Sequence, residues 1–432
     1  DSMCDISNLG LPHLLQVVLA PLHAEVVLVF TEKTRAFQTV PLAGGLTAPA
    51  PYAGVAAVAR RAVLAPNGFG GDKGFGVLDM RKVARGVAHA PLALGAADGA
   101  AAGAGAGAAA AFDGAVAAGQ RVVFAPRGAQ GVGSYDVVSR TFVLVATPGL
   151  GGAPFAGAAA VGSLVVFAPY QADTIGMFDA ASGRFYNETP AGLPVGGAKF
   201  CGAAAVGDQQ VVFAPFDADF IAVFDAATSG LTRISVTDHV THPSKFSGVV
   251  AIGKQIIFAP FDAEVVAVFT LKPRQFRTVD ISDRLTAGEG HFHGVVSIGQ
   301  VAIFVPFNED SVGLFDATSD DYSAVGLGGA APGPAKFRGA AVMGGKVFFA
   351  PYAARVVGVL ELASGIFTSF SVPGQQRDFS FVGAASSHGH IVFAPYYGFE
   401  VGIFNDREAR EALDALAPAP APAPPAAASL PG

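Results

Sequence analysis

The stretch VVFAPFDADFIAVFD, residues 211–225, decides the fold because the chain returns to it again and again. Close copies are VVFAPYQADTIGMFD from Val165, IIFAPFDAEVVAVFT from Ile256, AIFVPFNEDSVGLFD from Ala302 and IVFAPYYGFEVGIFN from Ile391. A sequence that repeats one supersecondary unit builds a single body from many copies. The repeats therefore outweigh the length of 432 residues, which alone suggests two or three domains.

The composition excludes several classes of protein. Half of the residues are apolar (51%) and only 14% are charged, which predicts a large core rather than disorder. A net charge of -7 without a Lys/Arg run argues against nucleic acid as a partner. The Ala/Gly run at 95–111 is too weakly apolar to span a bilayer, so we expect no membrane insertion. Cys4 and Cys201 show neither metal-site nor disulfide-framework spacing.

The spacing of one proline per repeat indicates the architecture. The prolines that end the repeated motif are 45, 60, 43, 46, 45, 46, 45 and 44 residues apart, and a period near 45 with short apolar runs is typical of a propeller blade of four strands. These prolines are Pro21, Pro66, Pro126, Pro169, Pro215, Pro260, Pro306, Pro351 and Pro395.

Each repeat divides into four strand-sized pieces. The run of small residues, GAAAVG at 202–207, predicts the innermost strand, where blades converge and space is short. The VVFAP run is apolar at consecutive positions, as expected of a strand covered on both faces. The third piece ends in turn-forming aspartates, and the fourth mixes charges into a β pattern typical of an exposed edge. The turn aspartates include Asp179, Asp225 and Asp316.

The stretch VVFAPYQADTIGMFDAASGRF resembles the YVTN-type, kelch-like propeller repeat, in which a β run, a polar turn, a second β run and a Thr/Ser-Gly turn follow in that order. Similar FAP-type repeats occur in algal proteins of unassigned function. The resemblance covers residues 3 to about 406 and departs from the family in having FAP-(F/Y) in place of its tag. It implies a propeller and no shared catalytic residues.

We therefore predict an all-β protein, a single closed β-propeller of four-stranded antiparallel blades over residues 1–406. Counting prolines gives nine blades, and eight is the alternative because a degenerate terminal repeat could sit outside the ring. The N-terminal DISN at 5–8 resembles an outer strand and is predicted to close the last blade. We also expect an Ala/Gly-rich inter-blade insertion at about 92–111, a short helix at 407–416 and a flexible Ala/Pro-rich tail at 417–432.

Charged residues recur in the loops that emerge on one face of such a propeller. Acidic residues stand two and four places after the motif proline, and a basic residue precedes several inner strands. An acidic outer arc around a basic inner set would form a partner-binding face, although solvated, mutually neutralising turn charges are the plainer interpretation. The predicted face comprises Lys199, Asp217, Asp219, Lys245, Asp262, Glu264, Asp310, Lys336 and Arg355.

Four histidines offer an alternative site. His239 and His242 lie in one inter-blade loop, and His291 and His293 flank a phenylalanine in the next. Imidazoles gathered from adjacent blades would suit a borderline metal such as zinc, but the spacing matches no zinc motif.

The leading functional prediction is a non-catalytic interaction platform without a cofactor, which binds a protein partner as an accessory or scaffold subunit of a larger assembly. The alternative is a metal- or small-ligand-binding propeller enzyme with its site at the channel mouth. The chain begins at Asp1 without a visible signal peptide, so a fragment, an organelle lumen and secretion after removal of a leader all stay open as its origin.

Overall fold

The structure is a computed structural model that describes residues 111–371, 380–396 and 400–405, together with the backbone of seven short strands between residues 16 and 91. The chain divides into two compact units. One comprises residues 1–86 and 408–432, and the other comprises residues 87–407. Among the described residues, no helix has the length and apolar character needed to cross a membrane.

The first unit contains two three-stranded antiparallel sheets. The first sheet has the order β1 (Gln16–Leu19), β2 (Val26–Thr31), β3 (Ala36–Pro41). The second sheet has the order β4 (Tyr52–Val58), β5 (Arg61–Pro66), β6 (Gly76–Asp79). These sheets take up the first two repeats of the sequence.

The second unit contains seven four-stranded antiparallel sheets, which are the blades of a propeller. Blade 1 consists of β8 (Phe112–Ala118), β9 (Arg121–Pro126), β10 (Gly131–Asp136) and β11 (Thr141–Ala146). Blade 2 consists of β12 (Phe155–Val161), β13 (Leu164–Pro169), β14 (Ile175–Asp179) and β15 (Arg184–Glu188). Blade 3 consists of β16 (Phe200–Val206), β17 (Gln210–Pro215), β18 (Phe220–Asp225) and β19 (Gly230–Ser235).

The remaining blades follow the same plan. Blade 4 consists of β20 (Phe246–Ile252), β21 (Gln255–Pro260), β22 (Val265–Leu271) and β23 (Arg274–Asp280), followed by a short 3-10 helix (Ser282–Arg284). Blade 5 consists of β24 (Phe292–Ile298), β25 (Val301–Pro306), β26 (Ser311–Asp316) and β27 (Asp321–Gly326). Blade 6 consists of β28 (Phe337–Met343), β29 (Lys346–Pro351), β30 (Val356–Glu361) and β31 (Ile366–Ser371). Blade 7 combines β32 (Phe381–Ser387), β33 (His390–Pro395) and β34 (Glu400–Asn405) with β7 (Ala88–Pro91).

The predicted blade number was wrong, since the propeller has seven blades rather than nine or eight. The proline count overestimated the number because the first two repeats form three-stranded sheets in the other unit. The strand predicted to complete the last blade was wrong as well. Ala88–Pro91 occupies that place and pairs with the free edge of β34, whereas residues 5–8 lie outside the described part of the chain. Residues 92–110, 407–416 and 417–432 also lie outside it.

A ring of glycines brings the seven inner strands together. Each inner strand contains the motif Phe-x-Gly with a register irregularity at the glycine, which adopts positive φ. At Gly202, with φ of 111°, an added Cβ would lie 2.7 Å from the Cα of Gly248 in the next blade. At Gly383 it would lie 2.7 Å from the Cα of Gly114, so the inner strand of blade 7 lies against that of blade 1. The ring comprises Gly114, Gly157, Gly202, Gly248, Gly294, Gly339 and Gly383.

The core lies between neighbouring blades. The second strand of each blade is buried at five consecutive positions, as in β17, because a blade covers each of its faces. One cluster joins Val212 and Ile221 of blade 3 to Phe246 and Phe258 of blade 4. The turn aspartates accept backbone hydrogen bonds as predicted, for example Asp225 Oδ1 from Thr228 N at 3.0 Å. The blades are thus rigid supports for the loops at their ends.

Candidate functional site

Seven side chains line the central channel where the inner strands begin. Each is the residue between Phe and Gly of the Phe-x-Gly motif, so the fold presents one such position per blade. The cavity that these strands enclose has a volume of about 140 Å³. The residue at this middle position differs in every blade, whereas the Phe before it and the Gly after it are constant. In blade order they are Asp113, Ala156, Cys201, Ser247, His293, Arg338 and Val382.

One side of this channel ring is charged. Asp113 Oδ2 accepts a hydrogen bond from Arg338 Nη2 at 2.8 Å and another from Arg127 Nη1. Arg338 belongs to blade 6 and Asp113 to blade 1, so the ion pair reaches past blade 7. The side chains of Asp113 and Arg338 are only 5% and 11% exposed. Two guanidinium groups therefore share one buried carboxylate, which leaves this side of the channel with an excess positive charge.

The other side of the ring is polar and uncharged. Cys201 Sγ lies 3.2 Å from Ser247 Oγ, and burial raises the pKa of the Cys201 thiol to about 11. Burial, reinforced by the positive charges of Arg338 and Arg127, holds the pKa of His293 well below its usual value. At neutral pH these groups are a thiol, a hydroxyl and a neutral imidazole. They offer hydrogen bonds without charge, and the protonated thiol is a poor nucleophile.

An aromatic rim surrounds the channel on the same face. It is formed by the residue directly after the motif proline in blades 2 to 7, and neighbouring rings are 5.2 to 5.9 Å apart between centroids. Blade 1 has Arg127 at this position, and its guanidinium lies 5.1 Å from the centroid of the Tyr170 ring. Arg338 lies 5.3 Å from both Tyr352 and Tyr396, within the range of cation–π attraction. The rim comprises Tyr170, Phe216, Phe261, Phe307, Tyr352 and Tyr396.

The lysines of the predicted partner-binding face are buried, with Lys199, Lys245 and Lys336 exposed by 3%, 1% and 2%. Their ammonium groups donate to loop carbonyls, for example Lys245 Nζ to His242 O at 3.0 Å and Lys336 Nζ to Asn308 O at 2.9 Å. Lys199 Nζ donates to Gly196 O at 2.9 Å. Each lysine therefore stabilises an inter-blade loop by hydrogen bonds to its carbonyl groups, and it is not itself exposed at the surface.

Replacement of Lys245 by Met should test whether these hydrogen bonds stabilise the loop. The apolar chain keeps most of the volume but leaves the part-buried carbonyl oxygens of His242 and Asp217 without this donor, so we expect a loss of about 1 to 3 kcal/mol in the free energy of unfolding. Lys254→Met is the control, since Lys254 is exposed in the turn between β20 and β21 and its replacement should change stability by less than about 0.5 kcal/mol. Denaturant unfolding compares the two, and equal effects would contradict the role.

The acidic residues of the predicted face fall into two groups. Asp217 and Asp262, two places after the proline, accept from the backbone of the next loop, at 2.8 Å from Ser244 N and 2.7 Å from Gly290 N. The residues four places after it are exposed, as Asp217 is, and Asp173 among them also accepts from Gly196 N at 2.7 Å. This exposed acidic arc consists of Asp173, Asp219, Glu264 and Asp310 on blades 2 to 5, and the exposed Arg355 takes the same position on blade 6.

The four histidines lie in separate surroundings. The exposed ring of His239 is 5.0 Å from that of Phe276, and His242 Nδ1 donates to the carbonyl of Pro243. His291 is buried, with Nδ1 2.7 Å from Glu309 Oε1, while His293 belongs to the channel ring. Within the described ranges, no three His, Cys, Asp or Glu side chains come together in a way that could hold a metal ion.

Sequence reasoning missed both the channel ring and the aromatic rim. The signal was nevertheless present in the repeats. When the inner strands are aligned, as FDGAV, FCGAA, FHGVV and FRGAA, one position varies in chemistry between two constant ones. A residue directly after each motif proline is likewise aromatic in six blades.

Comparisons with known proteins agree on the fold. No family model matches the chain, and no curated protein matches it in sequence. The structure is similar to a streptogramin B lyase (15% identity, TM-score 0.57, 68% of this chain and 93% of that chain). It is also similar to virginiamycin B lyase from Staphylococcus aureus (14%, 0.55, 68% and 94%) and to the WD40 repeats of RRP9 (12%, 0.55, 69% and 95%). The chain is thus a β-propeller, and its likeness to YVTN-type or kelch-like repeats stays a prediction.

Proposed function

We propose that this protein is a non-catalytic interaction platform, an accessory or scaffold subunit that docks a basic protein partner on the face around the channel mouth. The observation that supports this proposal is the exposed acidic arc. Its four carboxylates occupy the same loop position on four consecutive blades, so the rigid ring fixes their spacing. Such a repeated charge pattern complements a partner with several Lys or Arg side chains.

The burial of the neighbouring cations favours this partner. Lys245 is turned toward loop carbonyls, and within the described part of the chain no ion pair involves Asp219 or Glu264. Asp173 and Asp310 differ because their Oδ1 atoms lie 3.5 Å from Lys199 Nζ and 3.0 Å from Lys336 Nζ, although their side chains are 50% and 82% exposed. Asp219 and Glu264 are therefore the carboxylates most available to a partner, and exposed charges of this kind act mainly on the association rate.

Reversal of these two charges tests the proposal. The wild-type protein and the double variant Asp219→Lys/Glu264→Lys are used to capture partners from the native source, and the identified partner is then measured by surface plasmon resonance at low and high salt. We expect the double variant to slow association at low salt by about tenfold, because steering is lost, and to differ less at high salt.

A matched control separates docking from net charge. Asp208→Lys/Asp321→Lys makes the same change in charge at exposed positions in the turn between β16 and β17 and at the start of β27. These positions lie at the opposite ends of the strands from the acidic arc. The control should keep the wild-type rate, and both double variants should keep the wild-type melting temperature. Equal association rates for all three proteins would overturn the proposal.

A further inference from the structure

The channel mouth carries more positive charge than the protein itself balances. Arg127 and Arg338 share the single carboxylate of Asp113, and among the described residues Arg338 Nε is buried without a hydrogen-bond partner. Burial of the Arg338 guanidinium in this state lowers the stability of the fold, because a buried charge and an unpaired buried donor both lose their hydration. An anion that enters the cavity would both balance the positive charge and accept a hydrogen bond from Arg338 Nε.

We propose that the cavity at the channel mouth binds a small organic anion with one negative charge and a planar, apolar body. The carboxylate of such a ligand would lie beside Arg338, which lines the cavity, with Arg127 close by through the shared Asp113. Its body would lie between the glycines and small side chains of the inner strands. Ser247 and His293, on the uncharged side of the channel ring, would donate to or accept from a polar substituent. This site involves none of the exposed carboxylates of the acidic arc.

Charge, size and polarity each narrow the ligand class. One excess positive charge is balanced by a monoanion, whereas a doubly charged inorganic anion would leave an uncompensated negative charge in the buried cavity. The volume of about 140 Å³ is close to that of an engineered cavity of about 150 Å³ that holds benzene, so a single ring fits. The imidazole ring of His293 lines this cavity and can make an offset or edge-on contact with a planar body.

Isothermal titration calorimetry with benzoate as the probe tests the proposal. Benzamide, which is neutral and of the same shape, and sulfate, which is charged without an apolar body, are the comparison ligands. We expect benzoate to bind with one site per chain and the other two to bind about tenfold more weakly or worse, since a charge-assisted bond and ring contacts are both needed. Benzamide binding as tightly as benzoate would overturn the proposal.

Two substitutions should move the affinity in opposite directions. Arg127→Gln removes one guanidinium and should weaken benzoate binding by about tenfold. Asp113→Asn removes the competing internal carboxylate and should tighten it, which a purely structural role of Asp113 does not predict. If Asp113→Asn does not fold, Arg127→Gln decides alone, because Arg127 is partly exposed at the rim and its side chain is 22% accessible.

Two controls complete the experiment. Arg277→Gln removes an arginine of the outer strand β23 that pairs with Asp320, in the turn between β26 and β27, and should leave benzoate affinity unchanged. Asp219→Lys/Glu264→Lys should also bind benzoate with wild-type affinity at physiological salt, where exposed charges are screened within about 8 Å. Unchanged affinity in Arg127→Gln would overturn the anion site without touching the proposed docking function, and the converse holds for the association measurements.

Discussion

Replacement of Gly202 by Ala should lower the free energy of unfolding by about 3 kcal/mol or more, because two costs add. The φ of 111° at Gly202 lies in a region that L side chains rarely adopt. The new Cβ would also lie 2.7 Å from the Cα of Gly248, and a backbone atom of the neighbouring blade cannot move aside as a side chain can. Denaturant unfolding of the purified protein measures the loss.

Gly207 provides the matched control for this substitution. It lies in the same blade at the end of the inner strand and has a φ of 61°, but no atom lies within 4 Å of an added Cβ. Gly207→Ala should therefore cost only the left-handed backbone term, about 1 to 2 kcal/mol. If the two variants lose the same stability, the close approach of the blades at the glycine ring is not what requires glycine there.

The local structure was predictable from the sequence because every blade has the same pattern of buried strands and hydrogen-bonded turns. The VVFAP run at 211–215 is a buried second strand, and Asp225 accepts the turn hydrogen bonds that its position predicts. The number of blades was not predictable in this way. Strand patterns describe hydrogen-bonding and burial within a repeat, but they carry no information on which repeats share one ring. The repeats before Ala88 have the same pattern but form three-stranded sheets of the other unit.

The candidate site was predicted only in its exposed part. A lysine such as Lys245 looks like a surface residue in the sequence, because the loop carbonyls that it binds come from His242 and Asp217, which only the folded loops bring to it. His293 looked like a partner of His291, but the two point to different surroundings. His291 precedes β24 and bonds to Glu309 in the neighbouring loop, whereas His293 lies within β24, next to the irregularity at Gly294, and lines the channel.

Replacement of Asp113 by Ala should be as damaging as the change at Gly202, for an electrostatic reason. It removes the carboxylate that two guanidinium groups share and leaves the buried Arg338 without a counter-charge. Removal of one partner from a buried ion pair typically costs about 3 to 5 kcal/mol, and we expect a loss of that size in denaturant unfolding. Arg277→Gln, which breaks an ion pair with both side chains about one-third exposed, should cost about 1 kcal/mol or less.

The loss of stability in Asp113→Ala should be greatest in blade 7. Arg338 of blade 6 contacts Asp113 of blade 1 and the ring of Tyr396 in blade 7. The ion pair therefore links the two blades on either side of blade 7, whose fourth strand comes from a distant part of the chain. Local openings expose the least supported elements first. Hydrogen exchange should therefore increase more in β32 and β33 than in β16 and β17 of blade 3. A uniform increase across the blades would mean that the ion pair contributes to overall stability without fastening blade 7.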